Sequence, residues 1–439
     1  MKLELERANF LKAWQTAEKS ASTKSPKDII SGILVKADGN DNVTLEATDL
    51  KSSVKCRAAG VRVIEPGEAV LSINIFGNLL KKTTEKNIIL EVNQERGLLI
   101  AGKSKVRFAI FNVDDFPKLP DSAQSELICE IMNADLVRLI NEGTAASSQP
   151  QDFPKYLGTC LFRTSMNDGQ NEIKAVSTDG KRLALSKMLL TNVQKAQDLM
   201  LPSAALKELS KMLLTSKGED TVKILSDNSV AWFALPDIEY SIRLIDSTFP
   251  NYERILNNDT RTTLRISRDK LLAVIDRVDI IAKTTPAHIM AFLLEPNGDL
   301  IVTARAPEAG TARESLDAVI DGDNMQIGFN VSYFEDGLKA LSSGEIVIEF
   351  SHEEGQCRMT RSEDNNFLYM LMPARLSMQD AITEEEIGDF APSQDYQESQ
   401  ESQENQDANN NQEQQQESQE NNNPDSNSDS NNEVHEPVY

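Results

Sequence analysis

The chain has 439 residues, a net charge of −24 and 39% hydrophobic residues, too long for a single core and enough for two to four domains. Its start, Met1-Lys2-Leu3-Glu4-Leu5-Glu6-Arg7, is charged throughout and no apolar run reaches bilayer-spanning length, so neither a signal peptide nor a membrane span is expected. Cys56, Cys129, Cys160 and Cys357 are scattered and the histidines are only His288, His352 and His435; this argues against a zinc site or a histidine-based triad and fits a reducing cytosol.

Taken in order, the first predicted helix covers residues 7–19, where Phe10, Trp14 and Ala17 recur at i, i+4 and i+7. Further helices are predicted at 74–82 (Phe76, Leu79, Leu80), 133–145 (Leu136, Leu139, Ile140) and 203–214 (Leu206, Leu209, Leu213). The last two cover 267–282 (Leu271, Ile275, Val278, Ala282) and 330–341 (Phe334, Leu338, Leu341). Five of the six begin at or beside a Ser or Asn suited to an N-cap. Between them, residues 43–47, 88–92, 222–224 and 346–350 alternate with the period of two expected of strands. Turns are marked by Asp38-Gly39-Asn40, Asn167-Asp168-Gly169 and Pro296-Asn297-Gly298.

The helix starts fall roughly every 65 residues, the glycines Gly39, Gly169 and Gly298 lie 130 and 129 apart, and Phe116-Pro117 and Phe249-Pro250 lie 133 apart. The pattern predicts an α+β fold of three similar domains, each made of two halves with one helix and antiparallel strands. The expected limits are 1–124, ending after Phe116-Pro117-Lys118-Leu119-Pro120-Asp121, then 125–259, ending at Asn257-Asn258-Asp259, and 260–376. Residues 377–439 hold 17 Asp and Glu with no Lys or Arg, and setting them aside leaves the rest at −7. This Gln/Asn/Ser-rich tail has too few apolar residues to offset chain entropy and is expected to be disordered. Two roles stand open for it, competition for basic side chains of the body and, weighted more heavily, a purely solubilising extension.

The stretch Thr178-Asp179-Gly180-Lys181-Arg182-Leu183-Ala184 reads as a strand, a turn and a returning strand, a plausible edge for a groove. With Phe249-Pro250-Asn251-Tyr252, Ile327-Gly328-Phe329-Asn330-Val331-Ser332-Tyr333 and Leu371-Met372-Pro373-Ala374-Arg375-Leu376, it resembles the bacterial beta sliding clamp family, whose runs are T-D-G-H-R-L-A, F-P-D-Y and V-M-P-M-R-L. The resemblance covers residues 1–376, with Lys181 where the family usually has His and Ala374 where it often has Met.

The resemblance implies a clamp fold: a homodimeric ring whose helices line a hole around double-stranded DNA, without sequence preference. The basic residues singled out for DNA are Lys12, Lys81, Lys82, Arg138, Lys207, Lys211 and Arg277 on the helices, and Lys24 in the loop after the first helix. It implies a peptide groove of Tyr156, Leu157, Thr178, Gly180, Lys181, Arg182, Leu183, Pro250, Arg254, Ile255, Met370, Leu371, Met372, Pro373, Ala374 and Arg375. Leu, Ile, Met and Pro would make the floor, and Arg182 and Arg375 would orient a peptide backbone or carboxyl. Phe108 and Ile110 would meet Ile280 and Ile281 of a second copy. The implied partners are the replicative polymerase catalytic subunit, the clamp loader, repair and translesion polymerases, ligase and mismatch repair proteins, all through short linear peptides.

Two other functions compete with this one. A protein-binding scaffold could be built from the same repeat without meeting DNA. A nucleic-acid-processing enzyme would draw on Asp49, Asp179 and Lys181, but Thr48-Asp49 and Thr178-Asp179 occupy the same point in successive repeats, which favours a structural turn. No phosphate-binding Gly-x-x-x-x-Gly-Lys-Ser/Thr run or two-metal carboxylate cluster is visible, so no catalysis, metal or cofactor is expected.

Overall fold

All six predicted helices form in the computed structural model: α1 (Arg7–Glu18), α2 (Asn78–Lys82), α3 (Asn133–Gly143), α4 (Ser203–Leu213), α5 (Arg268–Ala282) and α6 (Val331–Ala340). The structure describes residues 1–22, 28–93, 95–149, 153–167, 170–256, 259–295, 298–342 and 344–376. Lys24, the turn residues Asp168, Gly169, Pro296 and Asn297, the expected boundary residues Asn257 and Asn258, and the tail 377–439 lie outside the described residues. The apolar stripes are buried as their spacing requires: Phe10, Trp14 and Ala17 on α1, and Leu271, Ile275, Val278 and Ala282 on α5 are at most 0% exposed.

The predicted capping is realised differently. Among the starts of these six helices only Asn330 acts as a side-chain N-cap, accepting from the Tyr333 N–H. Asn133 and Ser203 are the first residues inside their helices. Asn133 Nδ2 donates instead to the carbonyls of Leu213 and Lys217, at 3.0 and 2.8 Å, tying the start of α3 to the end of α4. A short polar side chain buried at a strand-to-helix junction is thus used for a tertiary bond rather than a local one.

The strands form four antiparallel sheets of five, nine, nine and four strands. The first nine-stranded sheet joins a five-strand part ending in Ile238–Arg243 to a four-strand part beginning with Ser52–Ala58, with Tyr240 opposite Val54 and Ser241 opposite Ser53. The second joins a four-strand part ending in Arg182–Leu190 to a five-strand part beginning with Phe367–Leu371, with Leu183 opposite Met370. We call these junctions the first and second seams. The remaining five-strand sheet ends in Ser104–Ala109 and the remaining four-strand sheet in Gly310–Leu316. These two edge strands hold the same places in their sheets as the strands that meet at the seams.

One face of each nine-stranded sheet carries helices. At the first seam the Cys56 thiol donates to the Ala13 carbonyl of α1, and the Tyr240 hydroxyl to the Ala205 carbonyl of α4. At the second, Ser186 Oγ contacts Glu142 of α3 at 2.5 Å, and Gly337 of α6 lies against the Tyr369 ring so closely that a Cβ would stand 2.5 Å from it. The other face carries two smaller apolar clusters, one around Leu34, Val70 and Phe116, the other around Leu183, Leu185, Leu368 and Met370.

A buried ion pair crosses the second seam. Arg361 Nη1 lies 2.7 Å from Glu142 Oε1, with side chains 8% and 5% exposed. Arg361 also binds Asp364, whose carboxylate is held below its usual pKa: burial opposes its charge, and the Arg361 and Asn366 hydrogen bonds outweigh it.

Candidate functional site

Strand parity builds the groove at the second seam. On Arg182–Leu190, Leu183 and Leu185 face away from the helices, and on Phe367–Leu371 so do Leu368 and Met370; together they form the floor. Leu161, Val176 and Met200 extend it. The segment after Arg243 lies alongside as a wall, with Ile245, Phe249, Tyr252 and Leu256 against the floor. The rings of Tyr156, Phe249 and Tyr252 stack edge to face in a row, each 6.1 Å from the next. Ile255 and Met372 stand at the rim, 49% and 48% exposed.

The turn Thr178–Arg182 is held by its own side chains. Thr178 Oγ1 donates to the Arg182 carbonyl at 2.7 Å and accepts from the Gly180 N–H at 3.1 Å. Asp179 Oδ1 accepts from the N–H groups of Lys181 and Arg182, and Gly180 has φ +86°. The turn at Thr48–Ser52 repeats these bonds, with Leu50 in the glycine's place at φ +73°. Asp49 and Asp179 are therefore occupied as turn acceptors. Past the floor, Met372 N–H donates to the Lys181 carbonyl and Ala374 N–H to the Gly328 carbonyl, both at 2.8 Å. Pro373, Ala374 and Arg375, with Gly328, Glu353 and Glu354, line a cavity of about 390 Å³.

Of the expected groove residues, Tyr156, Leu183 and Met370 share this cluster; Pro373, Ala374 and Arg375 line the cavity past the floor, and Ile255 and Met372 are exposed. Lys181, Pro250 and Arg254 are exposed, Leu157 is half-buried, and Thr178 and Gly180 shape the turn. Two expectations are corrected. Leu371, 1% exposed, points into the helix-side core. Arg182 also turns inward: its side chain is 8% exposed and bonds Asp179 at 2.8 Å, Asp336 of α6 at 2.6 Å and the Tyr369 hydroxyl at 3.1 Å. Its guanidinium lies 4.3 Å from the Tyr333 ring. Burial opposes its charge, but Tyr369, Asp336 and Asp179 overcome that and raise its pKa. It braces the seam, with Nε and Nη1 engaged by Asp179, Asp336 and Tyr369 rather than turned toward the groove. Conversely, Phe249, Tyr252, Leu161, Leu185, Met200 and Leu368 belong to the groove without having been singled out as site residues. The alternation of Leu183 with Leu185 and the Phe249-to-Tyr252 run were the available signals.

The basic residues on the helices divide. Lys12, Lys82 and Lys207 are exposed without an ion-pair partner among the described residues. Although Lys207 is exposed as a residue, the protein packed around its ammonium disfavours the charge and lowers its pKa. Lys81 is tied to Glu18 at 2.6 Å, Arg138 to Asp135 at 3.7 Å, Lys211 to Glu208 at 2.7 Å, and Arg277 to Glu314 at 2.6 Å. At the expected subunit contact, Ile280 is 56% exposed, while Ile110 and Ile281 are half-buried against their own cores. Phe108 packs within its own domain: it is 6% exposed, lies 5.6 Å from Phe76, and fills the space over Gly97.

Among the described residues no group of three or more His, Cys, Asp and Glu is placed to hold a metal ion, and no helix is long and apolar enough to cross a membrane. The four cysteines are buried, and burial pushes the thiols of Cys56 and Cys129 up to about 12, far from a reactive thiolate.

Three family models match the chain in succession: the N-terminal domain of the DNA polymerase III beta subunit over residues 1–120, its central domain over 130–251 and its C-terminal domain over 253–375. The beta sliding clamp of Escherichia coli K12 is 30% identical over 378 residues, covering 86% of this chain and all of that protein. The clamp of Bacillus subtilis 168 is 24% identical over 385 residues, covering 85% and 100%. Among solved structures, the Bacillus subtilis DNA polymerase sliding clamp superposes with a TM-score of 0.79 at 23% identity, and the Pseudomonas aeruginosa DNA polymerase III subunit beta with 0.77 at 25%. Each alignment covers 86% of this chain and 100% of the other.

Proposed function

The chain belongs to the beta sliding clamp family, the beta subunits of DNA polymerase III, and from that premise we propose that two copies close into a ring around duplex DNA and hold replication and repair proteins on it. The observation that carries this reading is the strand count. Each seam within the chain joins five strands to four, and the chain ends in an unpaired five-strand sheet and an unpaired four-strand sheet. Pairing Ser104–Ala109 of one copy with Gly310–Leu316 of another makes a third nine-stranded sheet and removes both open edges. Exposed apolar side chains flank these ends: Val106 and Ile75 on one, Ile280 on the other, 38%, 44% and 56% exposed. We propose the domain limits 1–124, 125–259 and 260–376, which would give each domain one five-strand and one four-strand part.

Inside the ring, Lys12, Lys82 and Lys207 offer diffuse charge to phosphates, while the ion-paired Lys81, Arg138, Lys211 and Arg277 contribute less. Lys24 completes the proposed DNA set. A ring kept on DNA by closure needs no tight or sequence-specific grip. The protein acts as a tether and performs no catalysis. Retention on nicked circular DNA, lost when the circle is linearised, is the expected result; equal loss from both substrates would exclude encirclement.

The groove at the second seam takes the short peptides of its partners. An apolar floor with a polar rim suits one or two aliphatic or aromatic anchors. The replicative polymerase, the clamp loader, repair and translesion polymerases, ligase and mismatch repair proteins would then compete for one site. Met372→Asp places a carboxylate at its rim and is expected to weaken polymerase-derived peptides about tenfold to a hundredfold in fluorescence anisotropy while the dimer persists. Unchanged affinity in the folded variant would remove the groove from consideration.

A further inference from the structure

On the helix side of the first seam, α1, Lys81 of α2, Arg57 and the Thr215-Ser216 segment after α4 enclose a crevice of about 800 Å³. That is more room than one phosphate needs and falls in the range of small-ligand clefts. Four cations line it, Lys12, Lys19, Arg57 and Lys81, against Glu18 and Asp237. Lys81 is held by Glu18, and Lys19 donates to the Lys211 carbonyl at 2.9 Å, its pKa lowered by burial. Lys12 and Arg57 are exposed and form no ion pair among the described residues. Ala13, Cys56 and Ile238 give the crevice an apolar floor, and among the described residues no aromatic side chain lines it.

We infer that this crevice receives one unpaired nucleotide of a DNA strand where duplex gives way to single strand, with its phosphate on Arg57. The inference rests on the proposed encirclement of DNA. A duplex is a stiff rod and touches the helix ridges, whereas a recess between them is reached only by a strand free of its complement. The cations suit the phosphate, and the apolar floor suits the sugar and the face of the base. Without an aromatic platform the contact is sequence-blind and governed by charge.

The test compares a labelled blunt duplex with the same duplex carrying a single-stranded overhang, each bound to the full-length chain and followed by anisotropy through a salt titration. The overhang DNA is expected to bind about fivefold tighter at low salt, with a log-log salt slope steeper by about 0.7 for each strand phosphate engaged. Arg57→Gln is expected to bring the overhang DNA to the blunt-duplex level, Arg57→Lys to keep most of the preference, and neither to change blunt-duplex binding. Arg57 is exposed, and sedimentation checks that each variant stays folded and assembled. Equal binding of both DNAs by the unaltered chain, or a preference that survives Arg57→Gln, overturns the inference alone. Failure of the unaltered chain to bind either DNA at low salt overturns the encirclement reading and this inference with it.

Discussion

Ile280→Asp is expected to yield a folded monomer at low micromolar concentration. Ile280 lies on α5, 56% exposed, and α5 packs on Gly310–Leu316, the edge strand proposed to pair between copies. Pairing would cover it, and an uncompensated buried charge costs about 3–5 kcal/mol, roughly two to three and a half decades in Kd. A ring contains two such contacts, so the penalty is incurred twice. Ile255→Asp is the matched control: it alters an isoleucine of similar exposure, 49%, at the groove rim instead. Sedimentation velocity should find the first variant monomeric and the second dimeric. If the Ile280 variant remains a dimer, the proposed pairing of edges is wrong. Ile281 is a poor choice for this experiment because it already packs on its own core.

The second large effect is expected within the chain. Arg361→Leu strands Glu142, 5% exposed, with Ser186 as its remaining partner. Breaking a buried pair in this way costs about 3–5 kcal/mol, while replacing both members by apolar side chains costs far less. Denaturant unfolding should therefore rank Arg361→Leu well below the Glu142→Leu/Arg361→Met double variant. Equal midpoints for the two would mean that the pair does not hold the second seam. Because Glu142 and Arg361 come from opposite sides of that seam, the single variant is also expected to loosen the groove above it and lower peptide affinity.

The contrast between these residues explains what could be seen in the sequence. The helices were legible because their apolar stripes repeat at 3.6 residues, as in Leu271, Ile275, Val278 and Ala282. The three similar domains were legible because turns and Phe-Pro pairs recur at nearly constant separation. Which side of a strand faces the groove was not. Lys181 and Arg182 are adjacent cations, and only the pairing of Arg182 with Leu371 and Leu183 with Met370 decides that Arg182 points to the helices. The inward packing of Phe108 was hidden for the same reason: its strand's outer face could not be told from its inner face without Gly97 opposite it. The pairing of Glu142 with Arg361 spans 219 residues and leaves no local trace. The wall residues Phe249 and Tyr252 were in view as a motif, but their place in the groove depends on how the segment after Arg243 lies over the sheet.

The unequal ends of the chain carry one more consequence. A five-strand end that pairs with a four-strand end is a heterologous contact, and nothing in such a contact limits the number of copies joined. Two copies suffice only if the curvature of each chain brings the last free end back to the first. In the proposed ring that curvature would be set at the internal seams, through braces such as Arg182 with Asp336 and Arg361 with Glu142. A substitution that flattens either seam would leave every contact between copies intact and still convert a closed pair into an open filament.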